Sequence, residues 1–311
     1  MPDPGHQRIF LLPERRRFSA QALSPSVARL LGRADRIAST TAGERSQLLR
    51  HFQLLPRGWP MAAISRQADA GDAAQYAWLR ADPVYVQPDM SGARLMAWGN
   101  LGLSGAEAED LLQSLRPLFG DAGFPLSATP AAPDRWYLML PRESPLPEFT
   151  TPMDGLGEDL LAHLPEGPQG RRWRALLNEA QVTLHNHPLN VRRIDSGLVP
   201  VNSLWFWGGG VLPDAVTCVA GSVISEDDEL RALAVLAGAS LTQLAGGCTL
   251  IDLRRERDWP ALEREHLGPA LADLKRHRGS VILDFADGAG WRVGPGQRWR
   301  LWRRSLGSLQ S

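Results

Sequence analysis

Thr249-Leu250-Ile251-Asp252-Leu253 and Ser280-Val281-Ile282-Leu283-Asp284-Phe285 are two short apolar runs, separated by a stretch from Pro260 to Arg276 with helical spacing. Each run has the length and the β-branched content of a buried strand. Strand, helix, strand in that order favours an α/β fold over an all-helical or sandwich fold. The pattern extends upstream, through a helix over Gly170 to Arg193, strands over Ser203 to Trp207 and Val216 to Ala220, and a helix over Asp227 to Leu244. Downstream it predicts a closing hairpin through Gly294-Pro295-Gly296. The expected architecture is a mixed sheet flanked by helices.

The first half continues the theme less densely. A short strand over Ile9 to Leu12 precedes two arginine-rich helical stretches, Ser26 to Ile37 and Gly43 to Leu54. Pro83-Val84-Tyr85-Val86 and Arg94 to Trp98 read as a hairpin across a turn containing Ser91-Gly92. Ser104 and Glu107 form a capping box, since a serine hydroxyl can take an orphan N–H while the glutamate reaches back, so a helix should run from Gly105 to Phe119. Trp136 to Leu140 is a further strand. A chain of 311 residues leaves one large domain or two sub-domains open. Proline-dense connectors over Pro125 to Pro133 and Pro141 to Pro147 place a soft boundary near residue 150, with an arginine-rich half over 1–150 and a second half over 151–311.

Charge is balanced at 34 basic and 34 acidic residues, which removes the bulk electrostatic argument for nucleic acid or an anionic membrane, so any basic site must be local. Cys218 and Cys248 stand in apolar contexts without metal or redox spacing and read as free thiols. With no basic-then-apolar opening, the expected compartment is the cytoplasm. The uncharged stretch Ala232 to Ile251 contains Gly238, Gln243, Gly246 and Gly247, and reads as helix, glycine turn and strand rather than a membrane span. In Gln297 to Arg304, arginine alternates with tryptophan. Such a pattern can bind single-stranded nucleic acid, but it also describes a half-buried strand with Trp299 and Leu301 on one face, and the second reading is preferred.

The densest polar motif runs His187-Pro188-Leu189-Asn190-Val191-Arg192-Arg193, then Gly197, then Pro200-Val201-Asn202-Ser203-Leu204-Trp205-Phe206-Trp207-Gly208-Gly209-Gly210. Three glycines after a buried strand let backbone approach a ligand closely and can present N–H groups to an anion. An arginine nearby would add a planar fork for phosphate or carboxylate. The candidate ligand contacts are therefore Asn190, Arg193, Asn202 and the backbone of Gly208, Gly209 and Gly210, with Trp205 and Trp207 as walls. The competing reading, that the glycines merely turn a strand and the arginines are solvated or paired, stands about level with it. His185 and His187 are two apart and cannot chelate one ion from a helix, so each reads as a capping or core histidine.

This run, with Asn178-Glu179-Ala180-Gln181 upstream, resembles the RpfE-type regulatory proteins of proteobacteria. Over Asn190, Arg193, Gly197, Pro200, Asn202, Trp205, Trp207, Gly208 and Gly210 it is also similar to archaeal-type cofactor-independent phosphoglycerate mutases. The second resemblance implies an alkaline-phosphatase-like fold and phosphoryl transfer through a serine or threonine beside two divalent metals, which needs a dense set of Asp and His ligands. This chain has no Asp-His-Gly segment and no histidine-rich run. The leading expectation is a regulatory, non-catalytic, mutase-like protein that binds a small phosphorylated or carboxylated metabolite through the 178–210 segment, without a metal. Two alternatives stay open. One is a mutase dependent on manganese, zinc or magnesium, and the other is an adaptor that binds a protein partner through the arginine-rich first fifty residues.

Overall fold

The computed structural model describes residues 6–89, 92–244, 246–276 and 279–309, so Ser91 of the expected hairpin turn lies outside the described residues. The chain divides into two compact units. Residues up to Arg57 and from Ala215 onward form unit 1, and Gly58–Asp214 form unit 2.

Unit 1 begins with strand β1 (Gln7–Leu12), helix α1 (Pro25–Arg33), strand β2 (Asp35–Ile37), helix α2 (Glu44–Leu49) and strand β3 (Phe52–Leu55). Unit 2 follows with α3 (Met61–Ala70), β4 (Ala77–Asp89), β5 (Gly92–Trp98), α4 (Gly105–Asp121), β6 (Leu126–Thr129) and β7 (Ala132–Leu140). It ends with the short α5 (Pro152–Gly155), then α6 (Gly167–His185), α7 (Pro188–Asp195) and β8 (Ser203–Val211). Unit 1 resumes with β9 (Ala215–Cys218), β10 (Ser222–Ile224), α8 (Asp228–Leu236) and β11 (Cys248–Asp252). It is completed by α9 (Trp259–Leu262), α10 (Gly268–Arg276), β12 (Ser280–Phe285) and β13 (Gly290–Val293).

In unit 1 the apolar runs that open the sequence reading lie on either side of β1. The sheet order is β10-β11-β1-β12-β13-β2. The first four strands are parallel, with Ile9 opposite both Leu250 and Ile282, whereas β13 and β2 are antiparallel, so the sheet is mixed. Parallel strands covered on both faces read as continuous apolar runs, which is why β1 and β12 show no clean alternation. Phe10, Leu12, Val281, Leu283 and Phe285 pack on one face with Val27 and Leu31 of α1, Trp259 and Leu262 of α9 and Leu267. The helix expected over Asp227 to Leu244 stops at Leu236, where Gly238 adopts φ +69. The two arginine-rich stretches are shorter helices than expected, and each is followed by a strand. Among the described residues no helix is long and apolar enough to cross a membrane.

The closing hairpin is β12–β13, turned at Asp287-Gly288 and closed by Phe285 N–H donating to Ala289 O at 2.9 Å, not at Gly294-Pro295-Gly296. Pro295–Trp299 is a single 3-10 turn instead. It is held by the Gln297 amide, which donates to Asp35 Oδ2 and Arg292 O while its oxygen accepts from Gly294 N–H. The expected strand burying Trp299 and Leu301 therefore does not form, and Trp299, Leu301 and Trp302 are exposed.

In unit 2 the long strand β4 pairs with β5 and β7 on one edge and with β8 on the other, in a five-stranded antiparallel sheet that includes β6. The Ser104–Glu107 capping box forms as expected and starts α4. Leu111, Leu115 and Phe119 of α4 and Trp173, Leu177 and Leu184 of α6 cover the sheet. The helix expected over Gly170 to Arg193 is two helices. His187 Nδ1 accepts from Leu189 N–H as the N-cap of α7, and Pro188, which lacks an N–H, is tolerated at a helix start.

The boundary expected near residue 150 falls inside unit 2, because β8 comes back to pair with β4 across more than a hundred residues. A proline-rich connector marks a surface loop, whereas strand pairing decides which segments share a core. A fragment spanning 58–214 should unfold with a single cooperative thermal transition. A fragment spanning 1–150, which lacks β8 and most of the unit 1 sheet, should not.

Candidate functional site

The polar residues of the 187–210 motif are fastened to the fold. Asn190 is buried; its amide donates to Leu184 O at 2.7 Å and Val201 O at 2.8 Å, and its oxygen accepts from Val201 N–H at 2.8 Å. Arg193 is 1% exposed, and it donates to Val199 O at 2.9 Å, Leu101 O at 2.7 Å and Glu107 Oε1 at 2.8 Å. Asn202 acts as an extra strand residue, with its side chain accepting from Val86 N–H and donating to Val86 O. Trp205 Nε1 donates to Thr150 O, and Trp207 Nε1 donates to the buried Asp82, which also receives a two-bond fork from Arg80. Arginine and asparagine in a sequence do not disclose their partners, and here those partners are mainly backbone groups that would otherwise be unpaired, with carboxylates at Glu107 and Asp82.

The triple glycine permits close packing instead of forming an anion nest. Gly208 has φ +66, and a Cβ there would lie 3.2 Å from Met61 Cβ and from Ala62 N. At Gly210 it would meet Pro60 Cβ at 2.9 Å, and at Gly209 Leu146 Cδ1 at 2.6 Å. The start of α3 thus rests directly on β8. Of the expected contacts, Arg193 reaches an open cleft of about 370 Å³ lined also by Glu107, Asp110, Arg192 and Ser196, and Trp205 lines a small apolar pocket with His163 and Trp173. In the cleft the Arg193 guanidinium is already committed to Glu107, while Arg192 pairs with Asp110. Asn190, Asn202 and the three glycines are not among the residues that line this cleft.

A different set of polar groups gathers in unit 1. In open α/β sheets ligands bind outside the carboxyl ends of the parallel strands, and β10, β11, β1 and β12 all end on one edge. Asp252 closes β11, and its carboxylate takes four hydrogen bonds. Oδ1 accepts from Arg254 Nε at 2.8 Å and Arg254 N–H at 3.2 Å, and Oδ2 from Arg254 Nη2 at 2.8 Å and Ser225 Oγ at 2.7 Å. Arg254 also donates to Glu44 Oε2 at 3.1 Å and lies 3.7 Å from Asp227. Asp284 in β12 takes a second fork from Arg50 Nη2 at 2.6 Å and Nε at 3.1 Å, with His51 Nε2 at 2.6 Å. Gln47 ties the strands themselves, donating to Leu12 O and Asp284 O.

The electrostatics follow from these contacts. Burial works against ionised Asp252, yet the hydrogen bonds and charge of Arg254, with Ser225, hold its carboxyl below the ordinary value near 3.8. Burial likewise opposes the charge of Arg254, but Asp252, Asp227 and Glu44 push its value up. The value of Glu44 is raised, opposite to that of Asp252, because burial, with Asp227 and Asp252 nearby, outweighs its contact with Arg254. On the same edge Arg17, Arg255 and Arg257 are exposed. Burial and the charge of Arg17 lower the value of Arg257. From the sequence, Asp227 is legible as the start of a helix, which it caps, but its gathering with Asp252, Arg254 and Glu44 is not. The available signal was Asp252-Leu253-Arg254-Arg255-Glu256-Arg257-Asp258, a charged run placed directly after a strand.

No family model matches the chain. It is 30% identical over 203 residues to a Geobacter sulfurreducens protein named as a probable 2,3-bisphosphoglycerate-independent phosphoglycerate mutase, covering 63% of this chain and 50% of that one. It is 32% identical over 114 residues to the 2,3-bisphosphoglycerate-independent phosphoglycerate mutase of Methanosarcina mazei, covering 35% of this chain and 29% of the relative. The chain thus spans half or less of the length of these curated relatives. Among solved structures, it aligns with the cofactor-independent phosphoglycerate mutase of Thermoplasma acidophilum at 15% identity and a TM-score of 0.42, covering 92% of this chain and 88% of that one. It also aligns with the PH0037 protein of Pyrococcus horikoshii at 10% identity and a TM-score of 0.49, covering 98% and 91%.

The pair of divalent metals implied by the sequence resemblance does not fit the side chains at this edge. A metal needs carboxylate oxygens or imidazoles free to point at one centre, whereas Asp252 and Asp284 each give both oxygens to a guanidinium. Among the described residues, no group of three or more His, Cys, Asp and Glu side chains is placed to hold a metal ion.

Arg193→Ala should lower unfolding free energy by about 3–5 kcal/mol, because it strands Glu107 and two carbonyls, whereas exposed Arg192→Ala should change it by less than about 1 kcal/mol; urea denaturation compares the two. A carboxyl held below its ordinary value stabilises above the unfolded-state value and loses that contribution as pH falls through the folded-state value. Asp252→Asn should therefore destabilise more at pH about 7 than at pH about 3, read from urea midpoints at both.

Proposed function

We propose that the chain is a regulatory, non-catalytic, phosphoglycerate-mutase-like protein that binds a small phosphorylated or carboxylated metabolite at the carboxyl edge of the unit 1 sheet. The observation that carries this reading is the arginine rim on that edge. Arg17 follows β1, and Arg255 and Arg257 follow β11. Two guanidinium groups held near each other repel, and an anion between them turns the repulsion into paired charge-assisted hydrogen bonds. The inner arginines, Arg254 and Arg50, are forked to aspartates, whereas the exposed Arg255 lies 3.7 Å from Asp227 and Arg257 donates to Arg254 O and Glu256 O, contacts that an anionic ligand would supplement. Similarity to named mutases supports a three-carbon phosphate as the first ligand to try.

The second reading is a metal-dependent mutase, favoured by the 203-residue similarity. It requires a nucleophile and a metal centre assembled from groups other than the two forked aspartates.

Calorimetric titration with 3-phosphoglycerate should give saturable binding, and Arg257→Ala should weaken it by about tenfold, the loss of roughly one charge-assisted contact. A coupled assay for 2-phosphoglycerate on the same protein should show no turnover. Binding unaffected by Arg257→Ala would remove the proposed site, and turnover would establish the second reading.

A further inference from the structure

We propose that Arg254 and Arg50 are built-in counter-cations for the strand-end aspartates, Arg254 standing among three carboxylates where a divalent ion would sit and Arg50 forking Asp284, so that unit 1 holds this edge together without metal.

Arg254 is a centre with several anions around it. Three carboxylates from separate segments face its one guanidinium: Asp252 at the end of β11, Glu44 at the start of α2, and Asp227, which caps α8. Its side chain is 8% exposed. Carboxylates converging from different segments repel and keep their positions only around a cation. A divalent ion would meet that demand with oxygens at about 2.0–2.6 Å. A guanidinium meets it with a planar fork and needs no exchangeable ligand. The four hydrogen bonds on Asp252 use the acceptor capacity of its two oxygens, so an incoming metal would have to expel the arginine.

The same solution recurs at the end of β12. Asp284 receives the Arg50 fork and His51, and Arg50 continues to Phe285 O at 3.1 Å and Thr40 Oγ1 at 2.9 Å. Each strand-end aspartate thus has its own arginine, delivered by a short local path in β11 and by the helix–strand turn after α2 in β12. The raised value of Glu44, caused first by burial and then by Asp227 and Asp252, fits a cluster whose negative charge one guanidinium only partly offsets.

The test uses the full chain, stripped with chelator and free of phosphorylated ligands, so its outcome is independent of the metabolite reading. Titration with manganese up to millimolar concentration should leave the wild-type melting temperature unchanged to within about 1 °C, since a ligand that does not bind the native state does not stabilise it. Arg254→Ser removes the inner cation and opens the three carboxylates. This variant should melt lower in chelator and recover about 3 °C or more with millimolar manganese or calcium. The recovery should vanish in Arg254→Ser combined with Asp252→Asn. A manganese-dependent rise in the wild type that Asp252→Asn abolishes would overturn the proposal, as would an Arg254→Ser protein with no cation response. Should Arg254→Ser not fold in chelator, expression with added manganese supplies the same readout: folding restored by the ion supports the proposal, and failure to restore it counts against it.

Discussion

Two oxygens of Asp252 and three nitrogens of Arg254 set the character of this molecule. The fork lies where a parallel sheet ends, and it holds the segment after β11 against Glu44 of α2 and Asp227 of α8. Breaking one partner of such a buried pair costs about 3–5 kcal/mol, mostly because the other charge is left stranded. The carboxyl edge of unit 1 is therefore preorganised by charge pairing within the chain. Its inner layer is closed, and Arg17, Arg255 and Arg257 are exposed outside it.

Unit 2 applies the same economy to a different problem. Arg193 and Asn190 satisfy carbonyls and an amide around the α7–β8 connection, and Arg80 neutralises Asp82 beneath Trp207. Asn190, Arg193 and Trp207 belong to the part of the sequence that most resembles a ligand site. In the folded chain they instead specify how β8 meets β4 and how α3 meets β8.

Local chemistry was legible in the sequence, and long-range partnership was not. The Ser104–Glu107 box and the β12 strand follow from spacing within a few residues, as does the β4–β5 hairpin, though Met90 and Ser91 at its turn lie outside the described residues. No local pattern discloses that β1 sits between β11 and β12, strands more than two hundred residues away, and the division into units depends on that pairing. The C-terminal alternation misled because Pro295 and the Gln297 amide make a tight turn, so period-two spacing had no strand to act on. Arg193 misled for a related reason, since a guanidinium has the same sequence signature whether it faces a phosphate or Leu101 O.

In the proposed arrangement arginine holds the carboxyl edge in place of a metal. The most direct measurement is the electron paramagnetic resonance signal of free manganese at neutral pH as the metal-stripped chain is added to equimolar concentration. The account predicts that the free-ion signal keeps its full intensity. A stoichiometric loss of that signal, with one or two ions taken up per chain, would contradict it.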